Sequence, residues 1–371
     1  MINTYQELVD LCQRAREKAC IALDTEFVWN RTYYPRLGVI QVGLAADDCH
    51  LIDVPAIDDL TPLGELIADA SIVKMLHDAQ QDLTILKRVT GAYPLNIFDT
   101  RCAAGLAGMS STSSLADLLE KVLGVVLDKS ETRTDWLQRP LSDEQVAYAI
   151  EDVSYLHDTR DKLLERIEEM GRTEWLQEEM TTYDNPALYD EREPLDSHER
   201  VKGAGRATPR ERAILRELAA WREEEARRRD RPRSHVLGDD IIIQLARHKP
   251  RDMETLKGIR GINSRDADHI LALVSNGLEV PDADCPRRPR RRRRMDEEQF
   301  EEMLDRAMDH LRTTSEEHKL DAPFVASRAE VRSLVGEGNK SSAEQFRLLR
   351  GWRHDLVGEG LLHLVSQEPP Q

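Results

Sequence analysis

The sequence predicts an α/β domain built on a mixed sheet, followed by all-helical domains. Three observations carry this. The apolar segments Ile21–Phe27, Gly38–Ala45 and His50–Asp53 follow closely on one another, and strands so spaced pair antiparallel. From Leu60 onward strands alternate with helices, the pattern of parallel crossover units. From Thr208 to Gly277, and again from Glu297, apolar residues recur at helical spacing alone.

Taken in order, residues 1–20 read as an amphipathic helix, with Tyr5, Leu8, Val9, Cys12 and Ala15 at helical spacing. The three early strands follow, the last two parted by the polar turn Ala46-Asp47-Asp48. A helix at Leu60–Ala68 precedes a buried strand at Ile72–Leu76. The helix Ala79–Val89 is punctuated by Gly91 and Pro94. A short strand, Asn96–Phe98, leads to Asp99-Thr100, which reads as a cap for the helix Arg101–Ala107. Ser110 to Ser114 caps Leu115–Leu123 in the same way. A loop runs to Pro140, and helices follow at Asp143–Tyr155 and Leu156–Met170.

A chain of 371 residues holds about two to three domains. No segment approaches the roughly 18 apolar residues of a membrane span. The opening MINTYQELVD has neither a basic nor an apolar leader region, so no secretory signal is expected. The five cysteines form no CxxC pair, which suggests neither a zinc site nor a disulfide framework; a reducing cytoplasm fits. The net charge of -17 is unevenly spread. The N-terminal half is acidic, residues 206–294 are basic, and the tail is acidic again. A basic middle unit suggests a polyanion-binding module, although an Arg-rich helical surface is also simply well solvated.

The chemistry concentrates at IALDTEF. Residues two apart on a strand share a face, so Asp24 and Glu26 place two carboxylates side by side. Such a pair is costly unless one is protonated or a cation lies between them, and oxygen-only ligands suit Mg²⁺ or Mn²⁺. Taken alone, the tripeptide equally fits ordinary surface acids. Asp82 falls in the first turns of the next helix, where the dipole also favours acids. Tyr148 and Asp152 are four apart in YAIED and so lie on one helix face, a spacing that core packing also produces.

In this order, Asp24 and Glu26, then Asp82, then Tyr148 with Asp152, the motifs resemble those of the DEDD 3′–5′ exonucleases of the ribonuclease H-like fold, in their tyrosine variant. LHDAQQDL and DWLQRPLSDEQVAYAIEDV resemble the second and third motifs of the ribonuclease D family. Thr208 to Gly277 resembles an HRDC domain, and APFVASRAEVRSLV with LLRGWRHDLVGEGLLHL resembles a second, degenerate repeat of it. The resemblance implies an exonuclease domain with its linker at 1–205, an HRDC domain at 206–285, and a basic linker with a second HRDC-like domain at 286–371.

It further implies two divalent cations. Asp24 is expected to bridge them, with Glu26 and Asp152 completing the site of the ion that activates water and Asp82 supporting the other. Tyr148 is expected to orient the water, since a phenol is a poor base at neutral pH. His77 and Gln80 are expected to flank the site. Arg139 is read as a bidentate phosphate contact, and Trp136 as either a stacking surface for a base or a core residue. In the HRDC segment Arg228, Arg229, Arg231 and Arg233, on a loop between helices, are the expected RNA contacts, and Arg287 to Arg294 form a basic linker. The implied activity is release of 5′-mononucleotides from RNA with a 3′ extension, such as tRNA precursors, with no obligate protein partner. A DNA exonuclease and a catalytically silent RNA-binding scaffold are the alternatives.

Overall fold

A computed structural model of the chain describes residues 1–127, 134–287, 296–338, 341–343 and 345–366. The fold divides into two compact units. The described residues of Met1–Phe27, Leu37–Tyr189 and the C-terminal segment form one; those of Val28–Arg36 and Asp190–Arg290 form the other.

The first unit is built on five strands: β1 (Cys20–Val28), β2 (Arg36–Ala45), β3 (Asp48–Asp53), β4 (Val73–Leu76) and β5 (Ile97–Asp99), in the order β3-β2-β1-β4-β5. β2 and β3 pair antiparallel, while β1, β4 and β5 run parallel. The expected mixed sheet is present. Helices α1 (Tyr5–Arg16), α2 (Thr61–Ile67) and α3 (Gln80–Thr90) cover one face; α4 (Thr100–Leu106), α5 (Leu115–Leu123), α6 (Asp143–Ser154), α7 (Leu156–Glu169) and α8 (Thr173–Thr181) complete the set up to Thr181. Strand alternation divides β1 between two cores. Ile21, Leu23 and Phe27 pack with α1–α3, and Ala22 packs with α4, α6 and α7.

Local signals position the site-bearing elements. α6 starts at a capping box in which Ser142 and Gln145 satisfy each other's backbone N–H groups. α5 begins on the Ser114 side chain. Asp99 caps α4 as expected, accepting from the N–H groups of Arg101 and Cys102, and it also accepts from those of Asp78 and Ala79. One carboxylate therefore ties the end of β5 to the turn that launches α3. The two helices expected at Asp143–Tyr155 and Leu156–Met170 are present, parted at Tyr155, the C-cap of α6. α8 is not among the elements the sequence pattern singles out.

The C-terminal helices α14 (Glu297–Glu317), α15 (Ala322–Val325), α16 (Arg328–Glu337), α17 (Gly351–Arg353) and α18 (Glu359–Ser366) belong to this first unit. Phe300, Leu304 and Leu311 share a core with Ala103, Leu163 and Ile167. Gly105 leaves room for Phe324; a Cβ there would meet its ring at 2.8 Å. Trp175 stacks on Trp352 with ring centroids 5.0 Å apart, and Arg353 pairs with Glu179.

In the second unit, α9 (Pro209–Arg229), α10 (Arg233–Val236), α11 (Asp239–His248), α12 (Met253–Lys257) and α13 (Ala267–Glu279) enclose Ile214, Leu215, Leu218, Ile242, Leu245, Ile270 and Val274. The stretch expected to be a linker, Asn185 to Gly205, is instead a series of 3-10 turns. Val201 and Ala204 join the core of this unit, because apolar residues between the turns have a helix to pack on. The segment 28–36 joins the same unit: Tyr33 donates its hydroxyl hydrogen to the buried Glu223 on α9. The arginine run Arg291 to Arg294 lies outside the described residues.

Candidate active site

Three acids converge where β1 passes under α6. Single carboxylate oxygens of Asp24, Glu26 and Asp152 all lie within 4.8 Å of one another. Strand alternation explains the first two, and the α6 cap sets the phase of the third. Asp82 enters from the first turn of α3, on the other side of the strand, where the Thr25 hydroxyl donates to its carboxylate. Thr25 is the residue between Asp24 and Glu26, so Asp82 is tied to the strand that carries two of the other acids.

Burial dominates their electrostatics, and the charges of neighbouring acids add to it at Asp24 and Glu26. Burial, then the charges of Asp82, Asp152 and Glu26, push the Asp24 carboxyl well above the usual carboxylate range. Burial, with Asp152 and Asp82, raises Glu26 to about 8. Burial raises Asp152 to about 7, with Glu151 adding to it. Burial raises Asp82 to about 6 against the hydrogen bond from Thr25. Without a counter-ion such a group of acids retains protons at neutral pH. A divalent cation can take the place of those protons, and the donors are all oxygen, as Mg²⁺ and Mn²⁺ prefer. The residues present fit a divalent metal centre.

Tyr148 faces this group from α6. Burial, followed by Asp152, Glu26 and Asp24, raises its phenol above the ordinary range, so it remains a hydrogen-bond donor at any physiological pH. Its ring lies 6.1 Å from that of Trp136.

The residues expected around the acids take varied places. His77 is held between Thr100 Oγ1 at 2.9 Å and the Ser113 carbonyl at 3.1 Å. Burial lowers its pKa, so the ring is neutral and its Nε2 donates to that carbonyl. Gln80 is exposed at the start of α3. Trp136 is buried, the packing alternative of the two readings. The guanidinium of Arg139 is committed inside the protein: Nε and Nη2 donate to Asp53 at 2.9 and 2.6 Å, Nη2 also to the Gly38 carbonyl, and Nη1 to those of Trp136 and Gln138. Every N–H of that side chain has an acceptor.

In the second unit Arg228 and Arg229 are the last residues of α9 rather than part of a loop, and Arg233 starts α10. Arg228 pairs with Glu225, Arg229 with Glu225 and Asp266, and Arg233 with Glu223. Arg231 lies between the helices, is exposed, and has no side-chain partner among the described residues. Sequence reasoning missed the pairings of Tyr33 with Glu223 and of Asp53 with Arg139; each spans a long stretch of chain, and no local periodicity announces such a pair.

The five-stranded mixed sheet with carboxylates gathered on its central strand defines the class: a 3′–5′ exonuclease of the ribonuclease H-like fold. Residues 1–168 match the family model described as 3′–5′ exonuclease, and residues 211–274 match that of the HRDC domain. Across its length the chain is 38% identical to the ribonuclease D of Desulfotalea psychrophila over 96% of both chains. It is 34% identical to that of Escherichia coli over 100% of this chain and 99% of the other. The crystal structure of E. coli RNase D, an exoribonuclease involved in structured RNA processing, superposes with a TM-score of 0.89 at 32% identity, covering 100% and 99% of the two chains. The chain belongs to the ribonuclease D family.

Proposed function

We propose that the protein is a metal-dependent exoribonuclease that trims 3′ extensions of structured RNA, tRNA precursors among them, releasing 5′-mononucleotides. The observation that carries this is the meeting of Asp24, Glu26 and Asp152 within 4.8 Å, with Asp82 tied to the same strand through Thr25. Asp24, beside Glu26 and Asp152, would serve both cations. Glu26 and Asp152 complete one position, and Asp82 supports the other. When bound, such a pair of ions supplies an activated water and neutralises charge developing at the phosphate. Asp24 and its neighbours would hold the ions as carboxylates, free of their protons. Tyr148 donates a hydrogen bond that orients the attacking water, a positioning role its raised pKa suits. Trp136 backs the tyrosine ring.

Membership of the ribonuclease D family favours RNA over DNA and an active enzyme over a silent scaffold. Matched 3′-tailed RNA and DNA oligonucleotides, incubated with the protein and Mg²⁺ or Mn²⁺, test this. Stepwise shortening of the RNA with release of 5′-mononucleotides is expected, with EDTA stopping it. Preferential digestion of DNA, or RNA bound but uncut, would overturn it.

A further inference from the structure

Gln41 lies in the middle of β2 and is fully buried. Neither its Oε1 nor its Nε2 has a hydrogen-bond partner among the described residues. A carboxamide buried in this way is costly, and native interiors rarely hold one without a use.

Its place in the sheet points to the use. β1 and β2 are neighbours, and the connection 29–35 is too short for a parallel crossover, so they run antiparallel. A Cβ built on Gly43 would lie 3.2 Å from the Cβ of Ala22 and 3.4 Å from that of Val153 on α6. Gly43 and Ala22 therefore oppose each other on the face that α6 covers. Two residues along each strand, in opposite directions, Gln41 opposes Asp24 on that same face.

We infer that Gln41 is a positioning residue of the cation site. With the site loaded, its Nε2 would be free to donate to the ionised carboxylate of Asp24, and its Oε1 would remain available to a polar partner in the site. A carboxamide suits the place because it can donate to a carboxylate and accept from water without adding charge to a site that already holds four acids. Hydrogen bonds to a ligating carboxylate fix its orientation, and losing one typically costs roughly 10–100-fold in metal affinity. The inference rests on the cation-site reading above.

Mn²⁺ binding to the full-length protein, read from the EPR signal of free Mn²⁺, tests it together with the melting temperature of the cation-free protein. Gln41→Met replaces the carboxamide by an apolar chain of similar length; Gln41→Asn keeps the carboxamide but withdraws it by one methylene. Gln41→Met is expected to melt at or above the wild-type temperature while binding Mn²⁺ roughly tenfold more weakly or worse, with Gln41→Asn between the two. Wild-type Mn²⁺ affinity in Gln41→Met, or loss of the cation-free fold in both variants, overturns the assignment. A wild-type protein that binds no more Mn²⁺ than Asp24→Asn would overturn the cation site itself.

Discussion

The indole of Trp136, 2% exposed, lies 6.1 Å from the ring of Tyr148 and is tilted 39° to it. The backbone of Trp136 is equally constrained. A Cβ on Gly38 would come within 2.3 Å of its carbonyl oxygen, and that oxygen also accepts from Arg139, which Asp53 holds in turn. The position of the tyrosine is thus set by a series of contacts running back to β2 and β3.

Trp136→Ala is therefore expected to act twice. It destabilises the fold by about 3–5 kcal/mol, as truncation of a buried aromatic does, and it lowers kcat by freeing Tyr148. Tyr148→Phe keeps the packing and is expected to lower kcat by about 10²-fold at most, since metal activation of water persists. Its pH–rate profile should keep the wild-type shape, because a phenol raised above its usual range does not titrate in the working span. A profile that loses its basic limb in Tyr148→Phe would make the tyrosine a proton carrier instead.

Cation binding and pH are linked with a definite sign. Carboxyl groups raised by folding stabilise the cation-free protein below their unfolded pKa of about 4, and that stability is lost as pH rises through about 6 for Asp82, 7 for Asp152 and 8 for Glu26. The EDTA-treated protein should lose melting temperature between pH 5 and pH 9 (roughly the span of these transitions). The rise produced by Mn²⁺ should grow over the same range. Asp24→Asn is expected to raise the cation-free melting temperature at pH 8, remove the Mn²⁺ response, abolish cleavage and leave RNA binding intact. An Mn²⁺ response that is flat with pH would contradict proton replacement.

Glu223 tests the second unit. Its side chain is 1% exposed and meets Arg233 at 2.5 Å, with the Tyr33 hydroxyl donating to it as well. Burial alone would raise its pKa; the hydrogen bonds from Arg233 and Tyr33 prevail and hold it down at about 2. That contribution is present above the unfolded pKa of about 4.3 and is lost as pH falls toward 2. Glu223→Ala is expected to cost about 1–3 kcal/mol, because Arg233 and Tyr33 lose their acceptor while Arg233 stays partly solvated and Arg227 keeps Glu191. Denaturant titration at pH 7 and pH 3 should show the penalty shrinking with acid.

The arginines nearby separate by their partners. Arg231→Ala should weaken RNA binding across sequences and reduce the salt dependence by about one charge while leaving the melting temperature unchanged. Arg233→Ala should lower the melting temperature. Filter binding across a salt series, beside melting curves, distinguishes the two effects; an Arg231 variant that binds as wild type would remove it from the RNA surface.

Where the sequence was readable, the information was local. Alternation put Asp24 and Glu26 on one face, the four-residue step aligned Tyr148 with Asp152, and Asp99 beside Thr100 announced a cap. What escaped was held by pairs far apart in the chain. Arg139 reads as a phosphate ligand until Asp53, 86 residues away, is seen to occupy it. Nothing local marks Tyr33, whose partner Glu223 lies 190 residues on. Gln41 is one polar letter in an apolar strand, and only the fold shows its side chain buried with no hydrogen-bond partner among the described residues.

Anomalous diffraction from crystals soaked with Mn²⁺ and a 5′-mononucleotide measures the shared-cation site directly. Two manganese peaks are expected, both touching Asp24, one also bound by Glu26 and Asp152 and the other on the side of Asp82. Manganese absent from this group of acids, or seated on other residues while the nucleotide still binds, would contradict it.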